Sequence, residues 1–197
     1  MSKSPIQKVT NKLQYRAIGI IKGIYKPFKS NSLNKGIIID KSGIEVDAVV
    51  LGKVLPLIRK HVDLLKQNYW IVYPRNKDSK NIHFQIAGIW DPSNFKNNDD
   101  NIDKTNDLLH SFDLKDNLFS IRGKLIFINI QEKELIIKIC PSNKCKNQKN
   151  KSFKILVKGE ISMKYINSFV SLEVIRIENS LFLEKFEIIE DKTSESI

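Results

Sequence analysis

Arg16, Lys22, Tyr25, Lys26, Trp70, Tyr73, Arg75 and Lys77 set cations and aromatic rings close together along two short stretches, RAIGIIKGIYKPF and YWIVYPR. Rings stack on bases and cations follow phosphates, so this combination is chemistry for holding a single nucleic-acid strand, each stack being worth about 1–3 kcal/mol. Arg16, Lys22 and Lys26 share one parity with Ile18, Ile20 and Ile24; Tyr25 falls on the other, and Phe28 follows it. Tyr69, Trp70, Tyr73 and Arg75 cluster further on, with Phe84 and Trp90 beyond them. Tyr73-Pro74-Arg75 ends an aromatic run, where a side chain reaches solvent, and a guanidinium there suits a phosphate or a base face. The competing reading makes Trp70 and Trp90 core residues of a small barrel and Arg75 a plain surface arginine.

Other chemistry finds little support. The histidines, His61, His83 and His110, are scattered, with no H-x-x-x-H or H-E-x-x-H spacing. There is no phosphate-cradling glycine loop. Cys140 and Cys145 are the two cysteines, in CPSNKC, too few for a disulfide framework and without the second ligand pair a zinc site needs. Glu45 and Asp47 share a strand face about 7 Å apart; such a pair suits a metal or acid–base work, and equally a solvated surface. No nucleophile has a base beside it. The expectation is a protein without catalytic residues, metal or cofactor.

The elements that must position these residues are mostly strands. Residues 44–75 read as strand, helix, strand with almost no connection: Val46, Ala48 and Val50 alternate with polar positions, Gly52 stops the run, and Pro56 sits in the first helical turn. Val54, Leu55, Ile58, His61, Val62 and Leu65 then recur at helical spacing, and Tyr69–Tyr73 is β-branched and aromatic. Before this lie a long strand over Tyr15–Phe28, a polar loop over Lys29–Lys35, a strand over Gly36–Asp40 and a hairpin turn at Lys41-Ser42-Gly43. Ile82–Trp90 makes a fifth strand after it. The order β-β-β-α-β-β predicts an OB-fold, a five-stranded Greek-key barrel. Gly19 and Gly23, inside the first strand, mark bends or close backbone approach.

Residues 118–190 repeat that order: FSIRGKLIFINI, Glu134–Cys140, Phe153–Glu160, Phe169–Glu178 and Leu181–Ile189, with the helix shrunk to SMKYIN. The fold class expected is therefore mostly β, as tandem small five-stranded OB-fold-like barrels, the first with a helix between its strands 3 and 4. The expected division is a flexible N-terminus (1–13), a first barrel (14–92), an acidic, Asn-rich linker (93–117), a degenerate second barrel (118–190) and a tail (191–197).

Net charge is +11 over 197 residues. Residues 1–95 carry 16 Lys/Arg against 6 Asp/Glu, residues 96–116 carry 3 against 6, and residues 117–197 carry 14 against 10. A basic surface favours nucleic acid, but the chain is also rich in Ile, Lys and Asn, the composition an AT-rich coding sequence produces. Seven lysines and no acid between Lys138 and Lys158 read as an electrostatic arm or a solvated insertion. No run approaches the roughly 18 apolar residues of a membrane span, and MSKSPIQKVTNKLQ has no apolar core of a secretory signal, so a cytoplasmic protein is expected.

RAIGIIKGIYKPF, GIEVDAVVLGKV, RKHVDL, YWIVYPR and QIAGIWDP together resemble a conserved-hypothetical protein family of cyanobacteria, similar over roughly residues 15–92. The resemblance implies an OB-like fold and a cyanobacterial lineage, and it assigns no activity and no catalytic residue. The residues themselves point to a non-catalytic binder of single-stranded RNA or DNA, with Arg16, Lys22, Tyr25, Lys26, Trp70, Tyr73, Arg75 and Lys77 as its site. The alternative is a protein–protein adaptor whose exposed aromatics mark a partner surface. Oligomeric state is not legible.

Overall fold

The structure, a computed structural model, describes residues 6, 8–76, 81–90, 116–140 and 152–190. The first five strands are β1 (Arg16–Lys29), β2 (Ser32–Asp40), β3 (Glu45–Val50), β4 (Asn68–Asn76) and β5 (Ile82–Trp90), with one helix, α1 (Leu55–His61), after β3. They pair in the closed order β1-β2-β3-β5-β4-β1, all antiparallel except β3 with β5. The second five, β6 (Leu118–Asn129), β7 (Glu134–Ile139), β8 (Phe153–Lys158), β9 (Phe169–Ile177) and β10 (Ser180–Glu190), close in the same order, β6-β7-β8-β10-β9-β6. That is the OB topology twice. A single 3-10 turn, Met163–Tyr165, stands where α1 stands in the first barrel.

Period-two alternation accounts for the barrel interiors. In β1 the buried parity is Ala17, Gly19, Ile21, Gly23 and Tyr25; in β9 it is Val170, Leu172 and Val174, with Ser171 and Glu173 outside. β2 begins earlier than its Ser, Asn and Lys content suggested, because Ser32 already pairs with Lys29 and the Tyr25 hydroxyl donates to the Leu33 carbonyl at 2.8 Å. The helix is shorter than its apolar spacing suggested. It ends at His61, Val62 is extended, and Leu65 is 88% exposed. The cause is local. The Asp63 carboxylate accepts the Leu65 amide, and its carbonyl accepts the Lys66 amide and the Asn68 side chain, a turn that competes with the next helical turn.

The barrels are joined edge to edge. β1 runs antiparallel to β6, with Arg16 opposite Arg122, Ala17 opposite Ile121, Ile18 opposite Ser120 and Gly19 opposite Phe119. One ten-stranded sheet results, and one hydrophobic core passes through the seam. Phe119 of the second barrel stacks on Phe84 of the first, ring centroids 5.8 Å apart and planes 17° from parallel. Gly19 lies against that ring so closely that a Cβ there would overlap it. Gly19→Ala is therefore expected to cost about 1–3 kcal/mol, the usual penalty of overpacking, measured as a lower midpoint in urea unfolding.

Two segments expected to be loose are seated at the seam. The buried Arg122 guanidinium takes the carbonyls of Lys12 (2.6 Å) and Gln14 (3.4 Å), drawing the end of the N-terminal segment onto β6. At the end of the linker, the Asp116 carboxylate accepts the Lys22 amide at 2.8 Å and the Asn117 amide donates to the Ile20 carbonyl at 3.0 Å. The remainder of the linker, the lysine-rich loop over 141–151 and the tail lie outside the described residues.

Candidate nucleic-acid interface

The seam opens a groove, and β1 explains why. From Gly19 to Gly23, β1 pairs with β4 on one edge; from Arg16 to Gly19, its other edge pairs with β6. Ahead of Gly19, β1 follows β6 and leaves β4, whose last residues continue toward the second barrel. There the Asn76 side-chain oxygen accepts the Leu156 amide at 3.3 Å, and the Arg75 guanidinium lies 3.7 Å from the centre of the Phe153 ring. The wedge between the start of β1 and the end of β4 is a cavity of about 670 Å³, within the range of about 300–1,000 Å³ that encloses a small ligand.

Its lining suits a nucleotide. Lys8, Arg16 and Arg75 bring three cations, Tyr15, Tyr73 and Phe153 bring three rings, and no described lining residue is acidic. The two arginines are half-buried. Burial, together with the neighbouring Arg122, holds Arg16 below the ordinary arginine pKa; burial also lowers Arg75, an effect that Tyr73 opposes. Part of the Arg16 donor set is held by Ser120 Oγ at 2.8 Å, and Arg75 donates to the Pro74 carbonyl at 2.9 Å. A partly desolvated cation gains more from an anion than one in open water does, so the groove offers its charge to a phosphate and its rings to a base.

The sequence candidates divide. Arg16, Tyr73 and Arg75 converge on the groove. Lys22 and Lys26 lie further along the outward parity of β1, Lys22 with its ammonium 5.2 Å from the centre of the Tyr69 ring and Lys26 exposed. Tyr25 and Trp70 are core residues, 1% and 0% exposed. Both are anchored inside: Trp70 Nε1 donates to the Gly23 carbonyl at 2.9 Å, and the two rings meet edge-on at 5.8 Å. Neither presents a face to a base. A strand of this barrel must fill its interior from one parity, and residues 25 and 70 have that parity. Lys77 lies outside the described residues.

Two family models match this chain. One, the PatR RNA-binding protein N-terminal OB-fold domain, covers residues 17–97; the other, the cyanobacterial OB-fold-like RNA-binding domain, C-terminal, covers residues 121–190. The chain belongs to this cyanobacterial family of OB-fold RNA-binding proteins. No curated protein matches it. The family assigns nucleic-acid binding, which the sequence resemblance had left without an activity. Among the described residues no helix is long and apolar enough to cross a membrane.

Several groove residues were not singled out by sequence. Lys8 and Tyr15 belong to or adjoin a segment read as flexible, and Phe153 to a barrel with no assigned site. The signal that finds them is distance across the seam, and no local pattern carries it. The charge excess of residues 1–95 is also dispersed: Lys41, Lys53, Lys60 and Lys66 are exposed on turns and around α1, away from the groove lining.

Proposed function

We propose that the protein is a non-catalytic, cytoplasmic binder of single-stranded nucleic acid, RNA before DNA, and that the seam groove holds a nucleotide between Tyr73 and the guanidinium groups of Arg16 and Arg75. What carries this reading is a lining whose described residues include three cations, three rings and no acid, between two barrels of an RNA-binding family. Tyr73 supplies sequence-tolerant stacking, and the arginines supply phosphate pairing. A groove that must admit an unstacked base favours a single strand over a duplex.

The test is fluorescence anisotropy of labelled single-stranded RNA and DNA at several salt concentrations, with duplex and heparin as competitors. Affinity is expected to fall by about 0.7 log units per decade of salt for each phosphate neutralised. Tyr73→Ala is expected to weaken binding by about 1–3 kcal/mol, the value of a base stack, with an unchanged salt slope. Arg75→Ala is expected to weaken binding and to reduce the slope by about 0.7. Equal affinity for every polyanion, or no binding at low salt, would overturn the reading and leave the adaptor alternative.

A further inference from the structure

The wall of the groove ahead of β1 is built from the end of the N-terminal segment, and it carries one side-chain amide. Lys8, Thr10 and Gln14 all line the cavity. The segment is folded back on itself. The Gln14 backbone N–H donates to the Asn11 carbonyl at 3.1 Å, the Leu13 N–H donates to Asn11 Oδ1 at 2.9 Å, and the buried Arg122 guanidinium holds the Lys12 and Gln14 carbonyls. Both backbone polar groups of Gln14 are thus taken, and the polar part left to the groove is its half-buried side chain. That side chain is oriented. Its Oε1 accepts the Thr10 backbone N–H at 2.9 Å and the Thr10 hydroxyl at 3.3 Å. A backbone N–H can only donate, so the amide oxygen must face Thr10 and the NH2 group must face the other way. No described residue takes the two Nε2 hydrogens.

The groove therefore meets a base with donors. Lys8, Arg16 and Arg75 are donors alone, Gln14 adds a fixed pair, and no described lining residue is acidic. The Thr10, Tyr15 and Tyr73 hydroxyls can donate or accept, and so they do not discriminate. Ile18, Ile71 and Ala87 make the surroundings apolar. A base stacked on Tyr73 turns its edge to these walls. Uracil and guanine carry a keto oxygen there, which accepts; cytosine and adenine carry an amino group at the corresponding ring position, which donates. An amino group set against the Gln14 NH2 leaves both without a partner, and that mismatch costs more than the matched bond gains.

We infer that the seam groove reads the base it holds, taking the keto bases uracil and guanine before cytosine and adenine, with Gln14 Nε2 donating to the keto oxygen and Thr10 orienting the Gln14 amide. This rests on the RNA-binding reading above. The experiment is anisotropy of labelled oligouridylate and oligocytidylate of equal length, at neutral pH, against the full wild-type chain, Gln14→Leu and Gln14→Glu. Uracil and cytosine share ring size and shape, so the comparison isolates the exocyclic group and the ring proton beside it. The wild type is expected to bind oligouridylate about five- to tenfold more tightly, the low end for a hydrogen bond lost against an unpaired donor, as suits a half-buried side chain. Gln14→Leu is expected to bring uridylate affinity down to the cytidylate level with the salt slope unchanged, because no charge is removed. Gln14→Glu keeps one oxygen for Thr10 and turns the other to the groove. It is expected to weaken both complexes by repelling phosphate and to invert the preference, cytidylate over uridylate. A purely structural role for Gln14 would move the two affinities together. Equal wild-type affinity for the two oligonucleotides, a wild-type preference for cytidylate, or a uridylate preference that survives Gln14→Leu overturns this inference alone. Absence of wild-type binding to either overturns the RNA-binding reading itself and this inference with it.

Discussion

Asp40→Ala is expected to destabilise the whole protein by about 3–5 kcal/mol, the cost of removing one partner from a buried ion pair. Asp40 ends β2 in the first barrel, and Arg176 lies on β9 in the second; their side chains are 6% and 2% exposed and bonded to each other. Arg176 also donates to Asn117 Oδ1 at 2.8 Å and to the Glu178 carbonyl at 2.7 Å, so losing Asp40 leaves a buried guanidinium short of its counter-charge. Asp40 works locally too, accepting the Ser42 and Ile44 amides at 2.8 and 3.0 Å to hold the β2–β3 turn. Urea unfolding of the single variants and of Asp40→Ala/Arg176→Met should give a coupling energy of the same sign as the pair, and the joint replacement should cost less than the sum. Because one core crosses the seam, fluorescence and circular dichroism should report one shared transition.

The pair also sets an acid limit. Burial would raise the Asp40 pKa, but the Arg176 guanidinium and the Ile44 and Ser42 amides outweigh it and hold the carboxyl below its ordinary value. Its contribution is therefore fully present above the unfolded carboxyl pKa of about 3.9. It is lost as pH falls through the lower folded value. The stability gap between wild type and Asp40→Ala should be flat from neutral pH down to that region and should close below it. A gap that instead closes between neutrality and mild acidity would contradict the assignment.

Trp70→Ala is expected to cost about 3–5 kcal/mol of stability, the range for emptying a buried aromatic site. The RNA affinity of the protein that remains folded should not change. Trp70 is fully enclosed, donates to the Gly23 carbonyl and lies edge-on to Tyr25, whose phenol burial pushes up to about 12. Tyr73, on the outward parity of the same strand, should show the reverse: little loss of stability and a clear loss of binding. Measuring both variants by unfolding and by anisotropy separates a core ring from a stacking ring three residues away. Loss of RNA affinity in Trp70→Ala without loss of stability would contradict the core assignment.

The pattern of candidates explains which parts of the site were legible. Basic and aromatic residues at Arg16, Tyr73 and Arg75 stood out by type, and their outward parity brings them together in the groove lining. Tyr25 and Trp70 stood out by type as well, but a ring that stacks on RNA and a ring that fills a barrel have the same chemistry. Only parity against the neighbouring strands separates them. Phe127 is exposed for a different reason, because the bulge beside it breaks the alternation of β6. Leu65 failed for a local reason, an Asp63 turn that ends α1 before its apolar spacing does.

What the sequence by itself determined is the set of strands and their order, β-β-β-α-β-β and its weaker repeat. These follow from alternation and turn residues a few positions apart, and such short-range signals are written in the chain. Tertiary structure alone decided the seam and the groove. Arg122 finds its carbonyl 110 residues away and Arg176 its carboxylate 136 residues away. Lys124, Lys138 and Lys154 become neighbours only when three strands take one register. Register and docking are set by the fit of whole faces, because each strand offers the same backbone bonds at every two-residue step and only side-chain packing across the sheet selects among them.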